Sequence, residues 1–276
     1  MITRALPFLL ALLVAAPAQA VIRGQVDRDP NGLRRSVVWV ESSRGGLCSG
    51  VIIAPDQVLT AAHCVSPRAT YRVVAVNRSF RPVGIRAVAA AMHPAFVPGT
   101  TPDTQPGVDL AILKLETPLR GDFVPLDPAG GAAGRGEIVS LAGFGTISEH
   151  RRRTDRVLRS AQLVVLGPMQ LQNRVLVVAD RNRLALTDGA GACLGDSGGP
   201  IVRRGPGGAQ LVGVVSFAAG AVGGSGRTAC GGFTAVTPVA EHASWIRARS
   251  ADLARLTPGD PITSPQATPY DWAVRN

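Results

Sequence analysis

Gly195-Asp196-Ser197-Gly198-Gly199-Pro200 is the stretch that decides how this chain is read. A serine hydroxyl is a poor nucleophile until a neighbouring base takes its proton. Flanking glycines let the backbone turn tightly and let a second chain approach closely. The amides of Gly195 and Ser197 would then converge on a carbonyl oxygen as it gains negative charge, forming an oxyanion hole. Alone, the segment is equally an ordinary glycine-rich turn.

Two upstream segments complete a constellation. Thr60-Ala61-Ala62-His63-Cys64 places a histidine at a strand end, and Val108-Asp109-Leu110-Ala111-Ile112-Leu113 places an aspartate at the start of an apolar strand. A buried carboxylate there can orient an imidazole and stabilise it when protonated. His63 alone reads as a packed or surface histidine, and Asp109 alone as a strand-initiating carboxylate. Three such segments in one chain point to nucleophilic catalysis by Ser197 with His63 and Asp109. The order His, Asp, Ser excludes an α/β-hydrolase, which needs a G-x-S-x-G elbow and the order Ser, Asp, His.

The surrounding sequence is β-rich. Strands are expected at Ser36–Glu41, Leu47–Ile53, Gln57–Thr60, Tyr71–Val76, Ile85–Ala91 and Asp109–Leu115. After a Pro/Gly-rich stretch near Pro125–Gly136, a second set covers Glu137–Ala142, Val157–Leu166, Arg174–Ala179, Pro200–Arg203, Leu211–Phe217 and Gly232–Val236. Six strands on each side predict an all-β protein of two packed antiparallel barrels, at about 21–125 and 126–256. One helix is expected at the C-terminal end of this region, capped by Thr237 with Pro238 in its first turn. Val239, His242, Ile246, Ser250 and Leu253 form its stripe. Residues 257–276 carry four prolines and read as a tail.

Residues 1–20 read as a signal peptide, with Arg4, an apolar run from Leu6 to Ala16, and the small-x-small site Ala18-Gln19-Ala20. The run is too short to span a bilayer comfortably. Export to an extracellular or periplasmic compartment follows, without stable membrane association. The even count of four cysteines, Cys48, Cys64, Cys193 and Cys230, then suggests two disulfides, with three pairings open. Their spacing fits no zinc site, and neither metal nor cofactor is expected. The formal charge is +10, carried by arginine except for Lys114. Spread over a solvated surface, that charge calls for no nucleic-acid partner; the cluster Arg151, Arg152, Arg153, Arg156 and Arg159 is dense enough to be a loop with its own role.

Together these segments resemble the chymotrypsin/trypsin family of serine proteases over nearly the whole chain after residue 20. TAAHC, DLAILKL and GDSGGP are hallmarks of that family. The resemblance implies two perpendicular six-stranded barrels with the triad in the cleft between them, and protein or peptide substrates met by a monomer. It implies the pairs Cys48–Cys64 and Cys193–Cys230. Val214-Val215-Ser216-Phe217 resembles the strand that binds substrate backbone, and Gly191, Ser216, Phe217 and Ala218 take substrate-pocket positions. The pocket floor, six residues before the nucleophile, is Gly191. It is not an acid, so a dominant preference for Arg or Lys is not expected, although Asp188 is near in sequence. The resemblance also implies that a new N-terminus at Val21 would pair with Asp196, with Arg23 standing where the family has glycine. A catalytically silent binding protein on the same fold is the alternative reading.

Overall fold

The computed structural model describes residues 21–29, 32–65, 69–149, 154, 156–205, 207–223, 228–256 and 272–273. The leader, most of the tail and Arg151 to Arg153 lie outside the described residues.

After a short β1 (Gln25–Val26), the first barrel runs β2 (Val37–Ser42), β3 (Leu47–Ala54), β4 (Gln57–Thr60), β5 (Tyr71–Val76), β6 (Pro82–Met92) and β7 (Ala111–Leu115). Its strand order is β6-β5-β2-β3-β4-β7, and β6 closes on β7. The second barrel runs β8 (Ile138–Gly143), β9 (Arg159–Gln170), β10 (Arg174–Asp180), β11 (Pro200–Gly205), β12 (Gly208–Ala219) and β13 (Phe233–Pro238). Its order is β9-β10-β13-β12-β11-β8, and β8 closes on β9. All pairings are antiparallel, so closure removes the open edges that a flat sheet of this composition would expose. The expected two six-stranded barrels are present. Two-residue strands flank them: β1 pairs with β9, and β14 (Trp272–Ala273) pairs with β6 at Ala89–Ala90.

Apolar alternation on both sheets fills a core inside each barrel and a seam between them. Val38, Val40, Ile52, Val58, Val73 and Leu113 pack inside the first barrel. Leu141, Leu163, Val178, Ile201, Val212 and Val236 pack inside the second. A third cluster joins the barrels, and in it Trp39 meets Phe144 edge-on with ring centroids 5.0 Å apart. This edge-to-face contact between large buried rings adds to the apolar burial that fixes the seam.

The helix departs from expectation. Thr237 and Pro238 do not begin it. They pair with Val214 and Gly213 at the end of β13, and the amide of Val239 still bonds the carbonyl of Val212 at 3.1 Å. A 3-10 turn at Ala240–His242 follows, and α1 covers Ala243–Ala254. Sheet pairing overrode the local capping signal, and the Thr237 hydroxyl has no partner among the described residues. Ile246 and Leu253 do face the seam as expected. Nearby, the rings of His93, just after β6, and Trp245 of α1 meet at a tilt of 53° with centroids 4.8 Å apart.

Of the arginine cluster, Arg156 and Arg159 are described, and they do not share one surface loop. Arg156 is exposed but pairs with Glu41 at 3.0 Å and lies 6.0 Å above the Trp39 ring. Arg159 is buried at the start of β9.

Both disulfides form as the resemblance implies, Cys48–Cys64 and Cys193–Cys230. They span 16 and 37 residues, loops whose closure stabilises by about 3 and about 4 kcal/mol in the chain-entropy account. Replacing Cys48 and Cys64 together by Ala should therefore lower the unfolding free energy by about 3 kcal/mol in urea titration. A loss under about 1 kcal/mol would show that the denatured chain gains little freedom from the change.

Candidate active site

His63 sits in the 3-10 turn Ala62–Cys64 that follows β4, and the Cys48–Cys64 bond ties this turn back to β3. Asp109 precedes β7 and is fully buried. Its Oδ1 accepts the His63 backbone N–H at 2.9 Å, and its Oδ2 lies 2.8 Å from His63 Nδ1. The Ser216 hydroxyl also donates to Oδ2, at 2.5 Å. Burial alone would raise the pKa of this carboxyl. The charge of His63 and hydrogen bonds from the His63 ring, the Ser216 hydroxyl and the His63 amide outweigh burial and hold it below 3.8. Asp109 is therefore an anion that fixes Nδ1 and leaves Nε2 to take a proton.

Ser216 reaches Asp109 because β12 is irregular there. The pairing with β13 shifts between Val215 and Phe217, which leaves Ser216 without a strand partner and re-aims it. The family resemblance gives Ser216 a substrate-binding role alone, and no sequence signal points to this bond. Its carbonyl accepts the Ser197 hydroxyl at 3.3 Å. Hydrogen bonds between catalytic groups often form only with substrate bound.

The loop carrying Ser197 is clamped by Ser49, which sequence reading also missed. The Ser49 amide donates to the Ser197 carbonyl at 2.8 Å, its hydroxyl donates to the Gly195 carbonyl at 2.9 Å, and the Phe144 amide donates to that hydroxyl at 3.0 Å. Gly198 has φ +82°, and a Cβ there would sit 2.1 Å from Thr60 Oγ1. Only glycine permits that approach. Gly195 also takes a left-handed conformation, φ +93°. Among the described residues the Gly195 and Ser197 amides have no acceptor, which leaves two donors beside the hydroxyl.

Asp196 turns away into the protein and is fully buried. Its carboxylate accepts the amides of Gly145 at 2.8 Å and Cys193 at 2.9 Å. A Cβ on Gly145 would lie 2.5 Å from its Cγ, so the glycine makes the pocket for the carboxyl. Desolvation raises its pKa to about 7, although the Cys193 and Gly145 bonds and the charge of Arg159 oppose the rise. Val21 is buried against the second barrel's core, and Ile22 bridges Gly191 with an N–H···O bond of 3.2 Å. Val21 is not a partner of Asp196 here, where its nitrogen is a peptide amide.

Gly191 is buried beside Thr234, whose Oγ1 would lie 3.4 Å from a Cβ added at Gly191, an ordinary contact. Phe217 and Ala218 continue β12 past Ser216, and Phe217 meets Phe233 edge-on at 6.3 Å. The carboxylate of Asp188 instead lies 3.5 Å from the Thr228 hydroxyl. Cys48, Cys64 and His63 cluster within 4.8 Å, but both sulfurs are spent in the disulfide and offer no thiolate to a metal.

A fold of two barrels with an imidazole, a buried carboxylate and a serine at their seam defines a class, and comparison with known proteins agrees. The trypsin family model matches residues 22–246, and the chain belongs to the trypsin family. It is 25% identical to kallikrein-8 of Homo sapiens, covering 73% of this chain and 76% of that protein. It is 28% identical to kallikrein-14 of Homo sapiens, over 89% and 94% of the two chains. It is 30% identical to a tryptase of Mus musculus, over 78% and 87%. Among solved structures, mouse neuropsin superposes with a TM-score of 0.64 at 20% identity, over 83% of this chain and 99% of that one. Human heparin binding protein superposes with the same score at 22% identity, over 87% and 99%.

The state of Asp196 has a measurable consequence. Between about pH 4 and pH 7 an unfolded aspartate gives up its proton, while this one keeps it when folded. The folded state then binds more protons, so stability falls as pH rises through that window. In a chain that retains residues ahead of Val21, urea midpoints should fall from pH 4.5 to 7.5 (about the span of that window), and Asp196→Asn should remove most of the slope. An unchanged slope in the variant would assign it to other groups.

Proposed function

We propose that the chain is an exported serine endopeptidase that hydrolyses peptide bonds through an acyl-enzyme. The double grip of Asp109 on the His63 backbone and ring carries this reading, because it fixes the tautomer a general base needs. In the first step the Ser197 hydroxyl leaves the Ser216 carbonyl and gives its proton to His63 Nε2 as Oγ bonds the scissile carbonyl carbon. The resulting oxyanion is met by the amides of Gly195 and Ser197. Protonated His63, held by the Asp109 anion, then gives the proton to the leaving amine. Water repeats the sequence on the ester and frees Ser197. No cofactor enters any step.

Residues 1–20 act as the export signal and residues 21–256 form the protease. Two disulfides suit the oxidising compartment that export reaches. No helix among the described residues is long and apolar enough to cross a membrane.

Ser197→Ala should lower kcat for peptide hydrolysis by about 10^6-fold, and His63→Ala by a similar factor, because the two act as one unit. Circular dichroism and urea midpoints should stay near wild type. Hydrolysis within tenfold of wild type in Ser197→Ala would refute the mechanism.

The uncharged pocket floor predicts cleavage after apolar or small residues, since a guanidinium buried without a counter-charge is costly. Peptide-library profiling should show no dominance of Arg or Lys. A Cβ added at Gly191 meets only ordinary contacts, and Gly191→Asp should raise cleavage after Arg by about 100-fold relative to an apolar residue. A wild-type profile dominated by basic residues would place another acid in the pocket.

Activation needs no separate propeptide. Cleavage after Ala20 frees the Val21 α-amino group, and its charge at Asp196 would offset the burial that now holds the carboxyl near 7. A chain beginning at Val21 should be active and should lose the falling pH slope. One extra residue ahead of Val21 should depress activity sharply, and full activity in that form would refute the pairing.

A further inference from the structure

A cavity of about 450 Å³ lies against the second barrel, where Arg23–Gln25, the end of β10 and Arg204 of β11 converge. It includes none of the triad, the oxyanion loop or the substrate-pocket residues. Three guanidiniums line it: Arg23, Arg181 and Arg204. Arg23 donates to the Asp188 carbonyl, which uses only part of its fork of donors. Arg181 and Arg204 have no ion pair among the described residues.

The one carboxylate in the wall, Asp180, offsets only one of the three positive charges, and its oxygens are taken up by backbone donors. Asp180 accepts the Asn182 and Ala190 amides, each at 2.8 Å. Burial would raise its pKa, but the amides of Ala190, Asn182 and Arg183 outweigh burial and hold it below 3.8. Asp27 feels the charge of Arg204, which opposes the rise that burial imposes on its pKa, but it does not line the cavity. Ser160, Gln162 and Asn182 line the rest of the cavity and suit hydroxyl groups. Guanidinium forks recognise phosphate and sulfate oxygens in pairs. The volume lies in the range of small-molecule sites and exceeds what one inorganic ion would fill.

The place of the cavity matters. Arg23 adjoins Ile22, and Ala190 adjoins Gly191, the two partners of the bridge behind the substrate pocket. A ligand spanning from Arg23 to Arg181 therefore joins both sides of that bridge, because Asp180 beside Arg181 accepts the Ala190 amide. A molecule that binds only the assembled arrangement stabilises it by mass action. We propose that this cavity binds a small hydroxylated polyanion, a cyclitol or sugar bearing several phosphate or sulfate esters, and that occupancy holds the Ile22–Gly191 bridge closed.

Calorimetric titration at about 0.15 M salt tests the site, with myo-inositol hexakisphosphate for the phosphate source and sucrose octasulfate for the sulfate source. At least one should bind saturably, at one site per chain. Arg181→Gln with Arg204→Gln should weaken it by about 30-fold or more. Arg44→Gln with Arg120→Gln makes the same charge change elsewhere and should stay within about twofold, the effect expected of screened surface charge. Equal weakening in the two double variants would reduce the binding to general attraction by a basic surface and overturn the site. An equal affinity for inorganic phosphate would overturn the polyanion class. The coupling has its own readout, independent of catalysis: the ligand should slow hydrogen exchange of the Gly191 amide, which donates to Ile22. Unchanged exchange at saturation would overturn the coupling.

Discussion

The burial of Asp109 is the constraint on which the rest of the site depends. An ionised carboxylate removed from water costs several kcal/mol unless donors replace its hydration. Here the donors come from both barrels, the His63 turn of the first and Ser216 on β12 of the second. The two halves must dock correctly for the charge to be satisfied, and docking brings imidazole and serine to one seam. Trp39 and Phe144 supply the apolar contact that holds the halves together, so packing and electrostatics specify the same geometry.

Asp196 is the counterpart. It is just as buried, but among the described residues two backbone amides are the only hydrogen-bond partners of its carboxylate, and its pKa rises to about 7 where that of Asp109 falls below 3.8. Two carboxylates pushed apart by their surroundings take different tasks. In the proposed mechanism Asp109 stays charged and orients a base. Asp196, immediately before the serine, is a buried acceptor whose pKa the charge of Arg159 does not bring back down. Gly145 exists in its present form because a side chain there would occupy the carboxyl's place.

Much of this was legible in the sequence because it rests on local patterns. Twelve strands follow alternation and turn residues, and the triad segments each carry a recognisable spacing. What escaped depends on distant partners. Thr237 and Pro238 look like a helix start, but β12 claims them as strand. Ser216 belongs to a strand motif, and only the irregular register of β12 turns its hydroxyl onto Asp109. Ser49 follows a cysteine without distinction, and its clamp on the Gly195 carbonyl joins residues 146 positions apart. Arg159 reads as one of a basic cluster until the barrel closes over it. The cavity of Arg23, Arg181 and Arg204 draws on three separate segments and has no linear signature.

The proposed hydrolysis requires Ser197 to be a nucleophile made reactive by the Asp109–His63 pair. The rate of covalent labelling by diisopropyl fluorophosphate tests it without any assumption about substrate. The protein that begins at Val21 should gain one label per chain, located on Ser197 by peptide mass. Asp109→Asn, which keeps the shape but lets His63 adopt the wrong tautomer, should slow the labelling by about 10^4-fold. Absence of label from the wild-type serine, or an unchanged rate in Asp109→Asn, would contradict the mechanism and favour a binding protein built on this fold.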